Sequence, residues 1–325
     1  MTTLWTSLQQ SFLLPTPSLT ESNLPSQSGR VFIVTGGYTG LGLELVKILY
    51  RHHGTIYIAG RSSTKASSAI AAVKAQYPSS DGRLAFLPLD LDDLTTIAPA
   101  AASFLSQESR LDVLTLNAGV MSPPPGSRTT QGHELQLGTN CLGHFLLAQL
   151  LLPVLRKTAA TAPPGSVRVT WAASLGVDVY SPSEGILFDD RGAPIVHKNQ
   201  RANYGVSKVG NYFYAAEFAR RYPYAETGIV TNAWNPGNLR SELQRYGGWV
   251  EKIAGKCLLY ETRFGAYTEL WAGWSEEAGK AERNGAYIWP WGRFGGVRGD
   301  VERAVVEGGA ARFWEWSEEQ VKPYT

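Results

Sequence analysis

Val31-Phe-Ile-Val34 runs directly into Thr35-Gly36-Gly37-Tyr38-Thr39-Gly40-Leu41-Gly42, and residues 41–50 then carry apolar side chains at helical spacing. No other stretch constrains the chain as much. A β-branched run that ends in spaced glycines and passes at once into a helix is a strand, a tight turn and a helix start. Gly36 permits the turn, Gly40 lets backbone approach a pyrophosphate, and Gly42 lets the helix pack closely on the sheet. The first N–H groups of the helix lack partners and sit at the positive end of its dipole. The expected occupant is a dinucleotide, cradled by Gly36, Tyr38, Thr39, Gly40, Leu41 and Gly42.

The same alternation continues. Apolar or β-branched runs recur at 55–59, 84–87, 111–116, 167–171, 228–234 and 286–289, with helical patterns between them. Strands alternating with helices imply an α/β fold, here a single Rossmann-like, doubly wound parallel sheet of about seven strands flanked by helices. At ~150 residues per domain, 325 residues would allow two. The order of the motifs favours one: an extension over 1–29, then a catalytic domain over 30–325, with a substrate lid and C-terminal segment over about 238–325.

Charge and composition exclude other classes. Thirty basic against 28 acidic residues leave +2, so no strong field draws nucleic acid or an anionic membrane. Two cysteines, Cys141 and Cys257, form no disulfide framework and suit a reducing, cytoplasmic setting. Residues 1–25 carry no arginine and no basic leader pattern. Leu4, Trp5, Leu8 and Phe12 there suggest a short helix docked on the body, with membrane contact as the lesser alternative. Residues 135–155 carry no formal charge but include Gln136, Asn140, His144, Gln149 and Pro153, which predicts a buried helix rather than a transmembrane segment. Cys141 and His144 lack further ligands at suitable spacing, so no metal site is expected.

The end of the second strand decides which dinucleotide. An NAD site expects an acid there to hold the ribose 2′-hydroxyl. The chain instead reads Ala59-Gly60-Arg61-Ser62, and no acid occurs between Glu44 and Asp81. Arg61, helped by Ser62 and Lys65, is placed to meet a 2′-phosphate. NADP(H) is therefore expected over NAD(H).

Tyr204 and Lys208 are four apart and share a helix face. Bringing a phenol from ~10 to ~7 needs about 4 kcal/mol. One charge at ~4 Å in an effective dielectric of ~20 supplies about that. Lys208 is thus expected to tune Tyr204 as an acid/base near neutral pH.

With these residues in order, the chain resembles the short-chain dehydrogenase/reductase family. The motifs are Thr35-Gly36-x-x-x-Gly40-x-Gly42, Asn117-Ala118-Gly119, Ser174, Tyr204-x-x-x-Lys208 and Pro236-Gly237. Thr139-Asn140-x-Leu-Gly-His-Phe-Leu-Leu147 and the stretch from Asn235 to Leu243 look like the branch of retinol-dehydrogenase-like and protochlorophyllide-reductase-like enzymes. Leu19-Thr-Glu-Ser-Asn-Leu-Pro25 is similar to fungal members of it. The resemblance implies that Lys208 also holds the nicotinamide ribose, that Ser174 bonds the substrate oxygen, and that Asn140 supports a water linking Lys208 to solvent. It places Asp90 and Leu91 at the adenine and Asn117-Ala118-Gly119 at the adenine ribose, with a role in supporting the central strand. It adds Pro236, Gly237, Leu239 and Ser241 to the cofactor side. The implied reaction is hydride transfer between nicotinamide and a carbonyl or alcohol.

Three additions enlarge the family core: the N-terminal stretch, the 30 positions from Ser174 to Tyr204, and everything after Leu243. The second holds Asp178, Tyr180 and Asp189-Asp190 and is expected to form a loop beside the substrate. The third contains most of the tryptophan: eight of ten lie at or after Trp234. An aromatic-rich C-terminal substrate segment would suit a hydrophobic or ring-containing small molecule. Tyr180, Tyr246 and Trp249 are its pocket candidates. The alternative for the later aromatics is a packed C-terminal subdomain or an oligomer interface, and the oligomeric state stays open. Two departures stand out. Thr39 occupies a place where many NADP-preferring relatives carry a base, and Asn235 a place where this branch commonly has His. Two other functions compete: a non-catalytic dinucleotide scaffold or sensor, and a serine hydrolase using Ser174 within Ala172-Ala-Ser-Leu-Gly176.

Overall fold

Seven of the apolar runs become strands in the computed structural model, which describes residues 3–239 and 259–325. They are β1 (Val31–Thr35), β2 (Thr55–Gly60), β3 (Arg83–Pro88), β4 (Val113–Leu116), β5 (Val167–Ala172), β6 (Ile229–Trp234) and β7 (Tyr287–Trp289). An eighth, β8 (Arg293–Gly295), was not foreseen. It is three residues long and pairs antiparallel to β7. The order is β3-β2-β1-β4-β5-β6-β7-β8, and every other pairing is parallel. β1, β4, β5 and β6 are buried along their whole length, as strands covered on both faces must be.

The helices are α1 (Thr3–Ser11), α2 (Gly40–Arg51), α3 (Ser63–Gln76), α4 (Ile97–Gln107), α5 (Leu135–Ala159), α6 (Gly176–Val179), α7 (Gln200–Arg221), α8 (Tyr224–Thr227), α9 (Thr262–Trp274), α10 (Gly299–Val306) and α11 (Gly309–Val321). Alternate residues of β1 feed two separate cores. Val31 and Ile33 join Phe145, Tyr214 and Trp314 on one face, and Phe32 and Val34 join Leu45, Leu270 and Trp274 on the other. α5 is long and apolar enough to cross a membrane, but 83% of its most apolar window is buried inside the molecule. It serves as a core helix. Its Gly138–Leu142 turn is π-helical.

Two expectations need correction. The C-terminal aromatics are mostly core. Trp271, Trp274, Trp289 and Trp314 are buried, Phe264 stacks on Trp291 at 4.6 Å, and Tyr214 stacks on Phe313 at 4.9 Å. Packing drives this: α9 and α11 must cover the two faces of the sheet, and large rings fill that space. Tyr246 and Trp249 lie outside the described residues. α1 is docked on the body as expected, but through its polar side. Gln10 and Ser11 are buried, while Trp5, Leu8 and Phe12 face outward; the Leu4 side chain lies outside the description.

Candidate active site

The strand order reverses direction between β1 and β4, and in open parallel sheets ligands bind at the C-terminal ends beside such a switch. A cavity of about 510 Å³ opens there. Its floor is built from the loops that leave β1, β2, β3, β4, β5 and β6.

The glycine turn shapes the first wall. Gly36 and Gly40 take positive φ of 69° and 53°. A Cβ on Gly40 would meet nothing within 4 Å, so its backbone faces open space. A Cβ on Gly42 would lie 2.7 Å from Asn117 Nδ2 and 3.0 Å from the Gly36 carbonyl, so only glycine lets α2 start this close to β4. Thr39 makes no side-chain cap, which leaves the first N–H groups of α2 available. Gly36, Tyr38, Thr39, Gly40 and Leu41 line the cavity, and Gly42 sits beneath it.

Asn117 ties β4 to β1. Its Nδ2 donates to the Thr35 carbonyl at 2.8 Å, and the N–H groups of Asn117 and Ala118 donate to Thr35 Oγ1 at 2.8 and 2.9 Å. His144 Nε2 meets the same hydroxyl at 2.9 Å, and its Nδ1 meets the Asn140 carbonyl at 3.1 Å. Burial holds this imidazole neutral, with its pKa lowered to about 3. Cys141 Sγ, also buried, donates to the Ser207 carbonyl. Neither residue joins a metal cluster among the described residues.

Arg61 and Lys65 line the far end of the cavity. Ser62 caps α3, accepting from Lys65 N at 3.3 Å, and does not face the space. Arg61 carries a bond that the sequence did not disclose. Its Nη1 donates to Asp92 Oδ2 at 2.6 Å, and its Nε lies 3.9 Å from Asp90 Oδ1. Burial raises the Asp90 carboxyl, with Asp92 backbone bonding and Arg61 pulling it back. Asp92 also accepts from Thr139 Oγ1. Arg61 thus lies beside two acids of the loop after β3. The Asp90-Leu-Asp-Asp93 run was the available signal, but strand adjacency cannot be read from one segment. Asp90 and Leu91 both line the cavity.

Ser174, Tyr204 and Lys208 line the middle of the cavity together with Gly119. Tyr204 and Lys208 are each 4% exposed. Burial raises the Tyr204 phenol to about 12; a hydrogen bond with Ser174 pulls the other way. Burial lowers the Lys208 ammonium to about 8. Lys208 Nζ donates to the Ala172 carbonyl at 2.8 Å and lies 5.6 Å from the centroid of the Tyr204 ring. The expected lowering of Tyr204 by Lys208 is not seen: burial raises the phenol, and the influence that opposes it comes from Ser174. Ser174 Oγ also accepts from Gly176 N at 3.0 Å.

Asn140 is fully buried in the π-helical turn behind Gly119. Its Oδ1 accepts from Val120 N at 2.8 Å, and its Nδ2 donates to the Val120 carbonyl and to Ser207 Oγ, both at 3.0 Å. The remaining walls carry Tyr180, Pro236, Gly237 and Leu239. Ser241 lies outside the described residues. The apolar part of the lining comprises Val120, Met121, Leu175, Val179, Trp234 and Leu259. Trp234 is the one aromatic of the C-terminal third that borders the cavity among the described residues, and its side chain is fully buried. From the long segment between Ser174 and Tyr204, Leu175, Gly176, Val179 and Tyr180 line it; Asp189 instead folds back on its own turn, accepting from Arg191 N and Ala193 N.

A glycine cradle at a switch point, joined to a Ser-Tyr-Lys set, defines a nicotinamide-dependent oxidoreductase. Comparison with known proteins agrees. The family model for short chain dehydrogenase matches residues 30–166. A short-chain dehydrogenase/reductase of Phomopsis amygdali is 47% identical over 95% of this chain and 94% of its own. Another, of Pestalotiopsis fici, is 44% identical over all of both chains. Among solved structures, an uncharacterised protein of Mycobacterium paratuberculosis has a TM-score of 0.68 and 26% identity, covering 94% of this chain and 97% of that one. The chain belongs to the short-chain dehydrogenase/reductase family and is an oxidoreductase acting on a small molecule with a nicotinamide dinucleotide. The serine hydrolase alternative finds no support: His197 Nε2 has no hydrogen-bond partner, and Ser174 is committed to Tyr204 and Gly176 N.

Proposed function

We propose that the protein is an NADP(H)-dependent reductase of carbonyl groups on hydrophobic or ring-containing small molecules. The observation that carries the reading is the meeting of Ser174, Tyr204 and Lys208 in one cavity whose other end holds Arg61 and Lys65. The open space over Gly40 suits a diphosphate, and two cationic side chains at the ribose end suit a 2′-phosphate. Gly36, Thr39, Gly40 and Leu41 would hold the diphosphate, Asp90 and Leu91 the adenine, and Lys208, Pro236, Gly237 and Leu239 the nicotinamide half. When bound, the dinucleotide supplies or accepts hydride.

Tyr204 keeps its proton at neutral pH and is poised to hand it to an oxygen that gains charge. Ser174 donates a hydrogen bond to the same oxygen and steadies that charge. Lys208 supports the phenolate left behind. Lys208 Nζ lies 5.6 Å from the centre of the Tyr204 ring, where its charge favours that phenolate. Asn140 holds the Val120 and Ser207 segments on either side of Lys208. The apolar lining at Val179, Tyr180 and Trp234 favours a substrate with rings or chains over a sugar or acid. A screen of NADPH consumption over aliphatic, aromatic and polycyclic carbonyl compounds, with mass detection of the alcohol, tests the reading. Turnover of apolar ketones or aldehydes is expected. Cofactor binding without turnover of any carbonyl would instead favour the dinucleotide scaffold.

A further inference from the structure

Helix α1 packs against the grain of its own amphipathicity. Gln10 is 1% exposed, whereas Trp5 and Phe12 are 47% and 55% exposed. Burying an amide while leaving rings in solvent is unfavourable unless both ends of the amide are bonded. They are. Gln10 Nε2 donates to Asp178 Oδ2 at 2.8 Å, and Gln10 Oε1 accepts from Asn235 Nδ2 at 2.8 Å.

The two partners belong to the segments after β5 and β6, both of which border the cavity. Asp178 sits in α6, whose Gly176 and Val179, with the following Tyr180, line the cavity. Asn235 leads into Pro236, Gly237 and Asn238, which also line the cavity, and its Oδ1 accepts from Gly237 N at 3.0 Å. The neighbouring contacts reinforce the placement. Ser11 Oγ accepts from Asn238 Nδ2 at 3.0 Å, and Arg293 Nη2 donates to the carbonyls of Gln9 and Leu13 at 2.7 and 3.0 Å.

We propose that Gln10 is a positioning residue for the substrate: a strut that spans the loops after β5 and β6, sets the width between them, and so helps decide which carbonyl compounds fit. This rests on the reductase reading for its consequence, though not for the strut itself. A side chain here must donate at one end, to a carboxylate, and accept at the other, from an amide. Glutamine does both. Glutamate does so only when protonated, because its carboxylate would otherwise face that of Asp178. The charged and titratable groups around that carboxylate are Arg298, whose backbone N donates to Asp178 Oδ1 at 2.7 Å, together with Asp300 and Tyr287. Asn235, on the other side, is neutral. The strut also gives a physical reason for an asparagine at position 235: its amide reaches Gln10 with Nδ2 and Gly237 with Oδ1.

The test uses the full chain with Gln10→Met and Gln10→Glu, NADPH, and an apolar carbonyl substrate from the screen. Gln10→Met is expected to lower kcat/KM about tenfold, chiefly through KM, with NADPH affinity within about twofold of wild type. Gln10→Glu is expected to match wild type near pH ~5.5 and to lose about tenfold by pH ~7.5 as the carboxyl pair ionises, while wild type stays flat over that interval. Backbone hydrogen exchange is the second readout. Faster exchange at 176–181 and 235–239 in Gln10→Met is expected whether or not a substrate has been found. Unchanged exchange there with unchanged KM would overturn the proposal even in an active reductase. A wild-type protein that turns over no carbonyl, with exchange faster in the variant, would overturn the reductase reading and leave the strut. A parallel fall in melting temperature and NADPH affinity in both variants, with no pH dependence in Gln10→Glu, would reduce α1 to a structural brace and overturn the positioning role.

Discussion

Gly205 follows the proposed proton donor directly and had no place in the motifs, yet the structure makes it a demanding position. It lies inside α7, where glycine costs about 1 kcal/mol relative to alanine. Replacing it with alanine would therefore stabilise an isolated helix. In the folded chain its Cβ would fall 2.6 Å from the Tyr180 carbonyl carbon and 2.8 Å from Ser181 Cα, and against Ser181 N as well. All three are backbone atoms, so no rotamer change relieves the contact. The turn that carries Gly176, Val179 and Tyr180 must retreat by roughly 1 Å to restore ordinary contact. Overpacking of this kind costs about 1–3 kcal/mol, which outweighs the gain in helix propensity. The expected net is a loss of up to about 2 kcal/mol and a melting temperature lower by a few degrees. Displacing Ser174's neighbours by ~1 Å should cut kcat by about 10- to 100-fold. Gly36, Gly40 and Arg61 are untouched, so NADPH affinity should hold. The assay is thermal melting, NADPH titration and steady-state kinetics on Gly205→Ala. A variant that melts at or above wild type, with kcat within about twofold, would refute the steric reasoning.

The remaining predictions concern the cofactor and pH. Arg61→Asp should shift kcat/KM from NADPH toward NADH by at least about tenfold, and Asp92→Asn, which frees Arg61 from its 2.6 Å partner, should shift it the other way by a few-fold; unchanged ratios in both would remove Arg61 from the cofactor site. Lys208 titrates at about 8 and is charged below that value. Support for the Tyr204 phenolate is then fully present below pH ~8 and lost above it, so kcat/KM for reduction should fall as pH rises through that point. A profile flat to pH ~10 would contradict that role.

The cofactor half of the site was legible because its residues are close in sequence or follow strand ends. The glycine turn fits a local rule about strand, turn and helix, and the motif order reproduced the order of the strands. Among the described residues only β8 was missed: Arg293-Phe-Gly295 lacks the apolar run that marks Tyr287-Ile-Trp289. The substrate half was less legible because its geometry depends on contacts between distant segments. Asp92 reaches Arg61 only after β2 and β3 pair side by side. Gln10 reaches Asn235 across 225 positions. The dense aromatics after Trp234 looked like a pocket lining, but composition cannot distinguish a ring that faces a cavity from one that fills the space between helix and sheet. Trp271, Trp274 and Trp314 do the second, and Trp234, though it borders the cavity, is itself fully buried. The docking of α1 was legible but its face was not: helical spacing of Trp5, Leu8 and Phe12 marks an apolar face without saying whether it or the polar face meets the body.

The proton-donor role of Tyr204 is the claim on which the reading turns. Its most direct measurement is NADPH-dependent reduction by Tyr204→Phe beside wild type, with NADPH affinity measured on both proteins. Phenylalanine keeps the ring and its packing and removes only the hydroxyl. Loss of at least about a hundredfold in kcat with NADPH affinity retained is the predicted result. Equal turnover by the two proteins would contradict it.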